Sequence, residues 1–336
     1  MYPETRKVIQ RMIEQSIIPG ASYAFIKDGK IEMHRDGLAA TVPRKEKIQD
    51  NQQYDVASLT KVMLTTTTIL NLLENKLIAL EDLVHSYLPE FKSRKVTIRH
   101  LLTHTSALNG FIPNRDNLAA NELKTALFTL VPDNTLGEKV QYADINMILL
   151  GYIIESIENE TLFSVFEKKI IQPLNLKAST YHPINPMQCA PTQNHPQRGM
   201  IRGKVHDPKA SILGNHCGSA GLFSTLNDTV RFSQMMLQKG MLDGVRVLEE
   251  KTVLELLEDR TPNKKLNRSL GWDLLTRRDG KSLFHTGFTG TFIILNIKSQ
   301  EAFIFLSNRV HPVSDTTTYL AERNHLIETY FLETTV

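Results

Sequence analysis

The chain has 336 residues, 41% hydrophobic and 22% charged, which suits one large globular unit or two interlocked lobes with a sizeable core and excludes a disordered chain. Its 39 basic and 36 acidic residues are interspersed and leave a net charge of only +3, so no charge pattern directs it to nucleic acid or to an anionic membrane. Met1 to Lys7 lead into a polar, amphipathic stretch without an apolar signal core and no run is long enough to span a bilayer. With only two cysteines, Cys189 and Cys217, the expectation is a cytoplasmic protein with reduced, unpaired thiols.

Val8, Ile9, Met12, Ile13 and Ile17 recur at helical spacing and predict a helix over residues 4–17. Two short extended runs, 21–27 and 31–35, follow, joined by Asp28-Gly29, a strong hairpin signal. Residues 40–53 are polar and read as a connecting loop. A helix then begins near Ser58 and runs to about Glu74. Thr65 to Thr68 lose rotamer freedom in a helix, so tertiary packing must hold this one and it should be central.

Further helices are expected in order: one with Glu81 and Asp82 in its first turn, one capped by Thr97 and running through Leu102, one over 121–130 stopped by Pro132, the most apolar over 146–158, and one over 163–171 before Pro173. Residues 181–218 carry five prolines and no sustained period, and read as a long loop contributing a binding surface. Thr225 opens a helix ending at Gly240, and 247–257 form another. The period then changes. Residues 271–276, 282–286, 291–297 and 302–307 read as consecutive strands, with turn signals at Asp279-Gly280 and Lys298-Ser299-Gln300, before a closing helix over 315–331.

This order gives an α/β (α+β) fold. Its mostly antiparallel sheet is built from both termini and flanked by terminal helices, with an all-helical lobe inserted between. Residues 1–55 and 260–336 would supply the sheet lobe and 56–259 the helical lobe, interlocked as one folding unit.

Three stretches carry candidate chemistry. Ser58 and Lys61 are three apart on a helical segment, so a hydroxyl and an amine can meet on one face. A desolvated amine beside a serine activates a nucleophile. Gln141-Tyr142-Ala143-Asp144 precedes the apolar helix, where the Tyr142 hydroxyl could move a proton. His285-Thr286-Gly287 ends a strand, presenting a donor or cation, a hydroxyl and a glycine that allows close backbone approach.

Ser58-x-x-Lys61, Tyr142-x-Asp144 and His285-Thr286-Gly287, in that order, resemble the motif triplet of the penicillin-binding protein and class C β-lactamase superfamily. The likeness extends to residues 98–106, 173–176, 219–225 and 308–312, which resemble segments of its serine hydrolase and esterase branch. The resemblance implies an antiparallel sheet and a helical lobe with the site between them. It implies Ser58 as nucleophile, Lys61 and Tyr142 sharing the proton transfer, and His285, Thr286 and Gly287 along the substrate edge. The backbone N–H groups of Ser58 and Phe288 would form the oxyanion hole.

Two positions depart from the commoner pattern. Asp144 stands where Asn is usual, so it either holds Lys61 charged or caps the following helix, and both roles can coexist. His285 replaces a lysine and would carry only partial charge near neutrality, which favours ester or unusual amide substrates over efficient antibiotic hydrolysis.

Trp272, Phe288 and Tyr181 are candidates for cleft or core, and Arg309 either supplies the cation that His285 only partly supplies or takes a surface position, the simpler expectation. Histidines 182, 195, 206 and 216, near Asp207 and Cys217, lack metal-ligand spacing, and no metal or organic cofactor is implied. The expected function is a serine hydrolase that forms an acyl-enzyme on Ser58 and acts on an ester, amide, D-amino-acid peptide or β-lactam-type substrate. The alternative is a penicillin-recognising or regulatory protein with little turnover. The partner is a small-molecule or peptide substrate.

Overall fold

The computed structural model describes residues 1–277 and 280–334, so Asp279 of the expected turn lies outside the described residues. Its spine is a seven-stranded antiparallel sheet. From the N-terminal part come β1 (Gly20–Lys27), β2 (Lys30–Ala40) and the short β3 (Glu46–Lys47). From the C-terminal part come β4 (Asp273–Arg277), β5 (Gly280–Gly287), β6 (Thr291–Asn296) and β7 (Glu301–Ser307). The order is β4-β5-β6-β7-β1-β2-β3, so β1 and β7 pair at the centre, Tyr23 facing Phe305 and Ala24 facing Ile304. The β1–β2 hairpin turns on Asp28 and Gly29 with φ of 52° and 72°, the left-handed pair that a two-residue hairpin of the right twist requires.

Side chains alternate between two buried faces. Tyr23, Phe25, Phe292, Ile294, Phe303 and Phe305 point to one face, where α1 (Pro3–Glu14) and the closing helix cover them with Val8, Ile9, Met12, Leu326 and Tyr330. Ala24, Ile26, Ile293, Leu295, Ile304 and Leu306 point to the other, toward the helical residues. Burial on both faces explains why these strands read as unbroken apolar runs, and each such phenylalanine contributes about 2 to 3 kcal/mol by leaving water.

The helices that position the site lie on the second face: α2 (Thr67–Glu74), α3 (Asp144–Glu158), α4 (Pro208–Leu213) and α5 (Leu226–Leu237), with α6 (Thr316–Thr334) closing the first. No described helix is long and apolar enough to cross a membrane.

Several expectations change. The loop over 40–53 contributes β3 to the sheet. Glu81 and Asp82 lie before a helix of only four residues, Val84–Tyr87, because the Asp82 carboxylate accepts from the Ala79 N–H (2.7 Å) and the Tyr87 hydroxyl (2.6 Å) and shapes a turn. The helix expected over 247–257 shrinks to Glu250–Glu255, since the amides of Val247 and Leu248 donate to the Gly240 carbonyl. The segment 181–218 holds two 3-10 turns, a small hairpin and α4.

The Ser58 helix also departs from ideal. Its first part, Lys61–Thr66, is a π-helical turn running into α2. Two of its four buried threonines place their hydroxyls on carbonyls, Thr65 donating to Gly218 (2.6 Å) and Thr67 to Val62 (2.9 Å), while the hydroxyls of Thr66 and Thr68 are buried without a partner among the described residues.

Candidate active site

The approach to Ser58 is tied down on both sides. Tyr54–Asp55 pairs with Phe223–Ser224, and the Val56 amide donates to Leu222. Ala57 then adopts φ +48°, a conformation that costs a non-glycine residue about 1 kcal/mol. Asp55 Oδ1 accepts from the Ala57 N–H (2.9 Å) and the Thr60 hydroxyl donates to the Ala57 carbonyl (2.7 Å), so this bend is held by neighbours. From the sheet, the hydroxyls of Thr289 and Thr291 donate to the carbonyls of Asp55 (2.7 Å) and Val56 (3.0 Å). The β5–β6 turn and the nucleophile segment are thus one unit.

Gly287 is required by that contact. A Cβ there would sit 2.1 Å from Thr291 Oγ1 and 2.4 Å from the Val56 carbonyl oxygen. Gly287→Ala is therefore expected to push the turn from the Ser58 segment, lowering kcat/KM about a hundredfold and costing about 1 to 3 kcal/mol of stability. Steady-state kinetics beside thermal unfolding would check it, and unchanged kinetics would refute it.

Lys61 is fully buried and its ammonium uses all three donors: to Ser58 Oγ at 2.8 Å, to the Ser219 carbonyl at 2.7 Å and to Asp144 Oδ1 at 2.9 Å. Burial alone would drive its proton off, but the Asp144 carboxylate, with Tyr142 beside it, outweighs burial and holds Lys61 above the ordinary lysine range.

Asp144 opens α3 but does not cap it: Ala143 holds the cap position and no side chain caps there. Its carboxylate instead lies between two ammonium groups, Lys61 on Oδ1 and Lys209 on Oδ2 at 2.9 Å. Burial would raise its proton affinity, yet the two lysines reverse this and keep it below the usual carboxylate range. Lys209, on α4 within the irregular segment, is absent from the sequence reading. Nothing near it in the chain signals a catalytic role.

Tyr142 is about half exposed, its ring stacked on His104 at 4.5 Å, 5.2 Å from Lys61 Nζ and 5.9 Å from the Arg268 guanidinium carbon. His104 Nδ1 accepts from the Ala143 amide (3.2 Å) and from Asn146 Nδ2 (2.9 Å), which fixes the loop carrying Tyr142. Arg268, also missed from sequence, is buried and paired with the Asp273 carboxylate.

His285 requires correction. It is buried, its Nδ1 donates to the Thr286 carbonyl (3.0 Å), and burial together with the cations Arg268 and Lys61 holds it neutral, well below the ordinary histidine range. It supplies no partial charge. Thr286 is half-buried beside it, and Gly287 fills the contact described above.

Phe288 is half-exposed at the mouth of the site, stacked on His206 at 5.4 Å and covered by the Arg309 guanidinium at 4.6 Å. Arg309, expected at the surface, is buried. Its Nε donates to the Phe288 carbonyl (2.8 Å) and its Nη1 to Ser314 and Thr316. Trp272 and Tyr181 belong to the core rather than the cleft, the Tyr181 hydroxyl donating to the Cys217 carbonyl. Both cysteines are free and buried.

A cleft of about 500 Å³ opens on Ser58 and Phe288, walled by the 193–212 segment through Gln193, His195, Arg198, Ile201, His206, Pro208 and Ile212. Among the described residues no group of three or more His, Cys, Asp or Glu is placed to hold a metal; His216 pairs with Glu155 and His182 with Asn215.

His206 is pushed down to about 4 by burial and then by Arg198 and His195, and His104 is likewise held neutral by burial. An unfolded chain takes up these protons near pH 6.5, so their stabilisation is complete above that pH and is lost as pH falls toward 4. For His206 alone this is up to about 3 kcal/mol, reduced by partial solvent screening. Asp55, pushed up to about 6 by burial, acts oppositely between pH 4 and 6, but it is one group against His104, His206 and His285. The melting temperature is expected to fall between pH 7.5 and 5, and equal values would refute this.

Comparisons with known proteins bear on the family and the fold. A sequence model of the family described as Beta-lactamase matches residues 5–326. A curated protein of Salmonella agona (strain SL483), named "Putative D-alanyl-D-alanine carboxypeptidase", is 30% identical over 311 residues, spanning 79% of this chain and 71% of the relative. Among solved structures, "EstCE1, a hydrolase with promiscuous acyltransferase activity" superposes with a TM-score of 0.78 at 16% identity, covering 96% of this chain and 97% of that one. One described as "A class C beta-lactamase" gives 0.76 at 19% identity, covering 96% and 94%.

Proposed function

The chain belongs to the beta-lactamase family and is a serine hydrolase of the β-lactamase, DD-carboxypeptidase and esterase type, and from that premise we propose that it transfers an acyl group to water through an acyl-enzyme on Ser58. The carrying observation is the Lys61 ammonium, 2.8 Å from Ser58 Oγ and anchored by Ser219 and Asp144. A lysine with all three protons engaged donates to the serine and cannot accept from it. It orients Oγ and stabilises the charge that develops there, while the proton leaves elsewhere.

Tyr142, whose ring is flanked by Lys61 and Arg268, is the acceptor of the serine proton. Ser58 Oγ bonds to the substrate carbonyl carbon as its proton passes to Tyr142. The tetrahedral oxyanion would be met by the amides of Ser58 and Phe288, which line one cleft. Collapse breaks the bond to the alcohol or amine, which departs with the proton from Tyr142. Water then repeats the sequence, giving the acid and restoring Ser58.

Substrate preference follows from the uncharged ring at the His285 position of the strand. His285 is neutral and Arg268 is paired with Asp273, so neither offers a free charge to a terminal carboxylate. This favours esters, whereas the name of the Salmonella relative favours a D-amino-acid peptide. A p-nitrophenyl ester and a D-Ala-D-Ala peptide assayed side by side, with intact mass after rapid quenching, test the reading. The expected result is faster ester turnover with an acyl adduct mapped to Ser58, and an adduct elsewhere would overturn it. A second reading, a penicillin-recognising protein with little turnover, is favoured by the charged Lys61. It predicts a stable adduct without release.

A further inference from the structure

The catalytic lysine is not the only cation on Asp144. Lys209 lies in the cleft wall, between Pro208 and the cleft-lining Ser211 and Ile212, and its Nζ reaches Asp144 Oδ2 at 2.9 Å while Lys61 takes Oδ1 at 2.9 Å. Both ammonium groups are buried, Lys61 completely and Lys209 nearly so.

We propose that Lys209 is a positioning residue for the reaction: by holding one oxygen of Asp144 it withdraws part of that carboxylate from Lys61, and so sets how tightly the Lys61 and Tyr142 pair holds a proton. The inference rests on the acyl-enzyme reading above.

The argument is electrostatic. A carboxylate facing one ammonium in a low-dielectric site directs its full charge at that partner, and a second cation at the same distance offsets about half of it. With Lys209 in place, Lys61 and Tyr142 face a weakened negative field. Without it, the whole carboxylate charge would act on Lys61 and bind its proton more firmly.

Other charges near this pair cannot substitute. His104 and His285 are held neutral and Arg268 is committed to Asp273. On the elements packed against α4, Asp116 pairs with Arg115, Glu122 accepts from the Ala119 amide, Lys124 lies over the rings of Phe128 and Tyr152, and His216 pairs with Glu155. Asp207 accepts from the Ala210 amide. Lys209 also attaches the substrate-facing wall to the carboxylate, so a substrate that shifts α4 would change the balance at Lys61.

The test compares pH profiles of kcat/KM for the full chain and for Lys209→Met, Lys209→Gln and Lys209→Arg, with Ser58→Ala as control. Removing a cation raises the proton affinity of the reacting base. The acidic limb for Lys209→Met and Lys209→Gln should therefore move up by about one pH unit, with kcat/KM about tenfold lower on that limb. Lys209→Arg should restore the wild-type limb. A limb that stays in place in both neutral variants would overturn the proposal, because a structural role lowers rate without moving it. Activity persisting in Ser58→Ala would instead overturn the acyl-enzyme reading, so the two failures are distinct.

Discussion

Replacing Ser58 with alanine is expected to lower kcat/KM by about 10⁴-fold or more while leaving the fold and substrate binding nearly intact. The side chain is partly exposed and, among the described residues, its hydroxyl accepts from Lys61, which keeps its bonds to Ser219 and Asp144 after truncation. Thermal stability should therefore change by less than about 1 kcal/mol. Residual hydrolysis would come from binding and the oxyanion amides alone. The decisive measurement is ester turnover together with intact mass, since the variant should show neither release nor adduct. Turnover at the wild-type rate would remove Ser58 from the mechanism.

Asp144→Asn is expected to have the second largest effect, and in two observables at once. The amide leaves Lys61 and Lys209 without their shared anion, one of them wholly buried. Breaking a buried pair on one side costs roughly 3 to 5 kcal/mol, and the lower end applies because the Asp144 side chain is a quarter exposed. The same change removes a negative charge beside the reacting base, so the acidic limb of the rate profile should move down, opposite to removal of Lys209. Reactivity toward β-lactams should rise, since an amide can donate to a carbonyl as a carboxylate cannot. Urea unfolding and pH-rate profiles would check both, and an unmoved limb would refute the account of Asp144.

Much of the fold was legible because the central strands are short apolar runs bounded by turn signals and the helices carry their own boundary signals. Asp28-Gly29, Thr97 and Thr225 act where they stand in the chain, and each was correctly located. Elements failed where a local pattern met a competing partner, as when the Asp82 side chain turned back to Ala79 and Tyr87 instead of opening a helix. The motif residues Ser58, Lys61, Tyr142 and Asp144 could be named because their spacings are short, and the structure gathers them. Their electrical state could not be read. It depends on Lys209 and Arg268, which are remote in sequence and sit in segments without periodicity. His285 illustrates the same limit: its identity suggested partial charge, and only burial with two cations nearby reveals a neutral ring.

The two hydroxyl bonds that seat the nucleophile segment join residues 234 and 235 positions apart, and the central strand pair closes a comparable span. Contacts so distant in sequence are costly to close and form late in folding. During synthesis, Ser58 leaves the ribosome long before Thr289 and Thr291 exist to fasten it. The contacts that hold the Ser58 segment in place therefore arrive with the last strands rather than accumulating along the chain, so the bend at Ala57 is left without its clamp until the C-terminal strands are made.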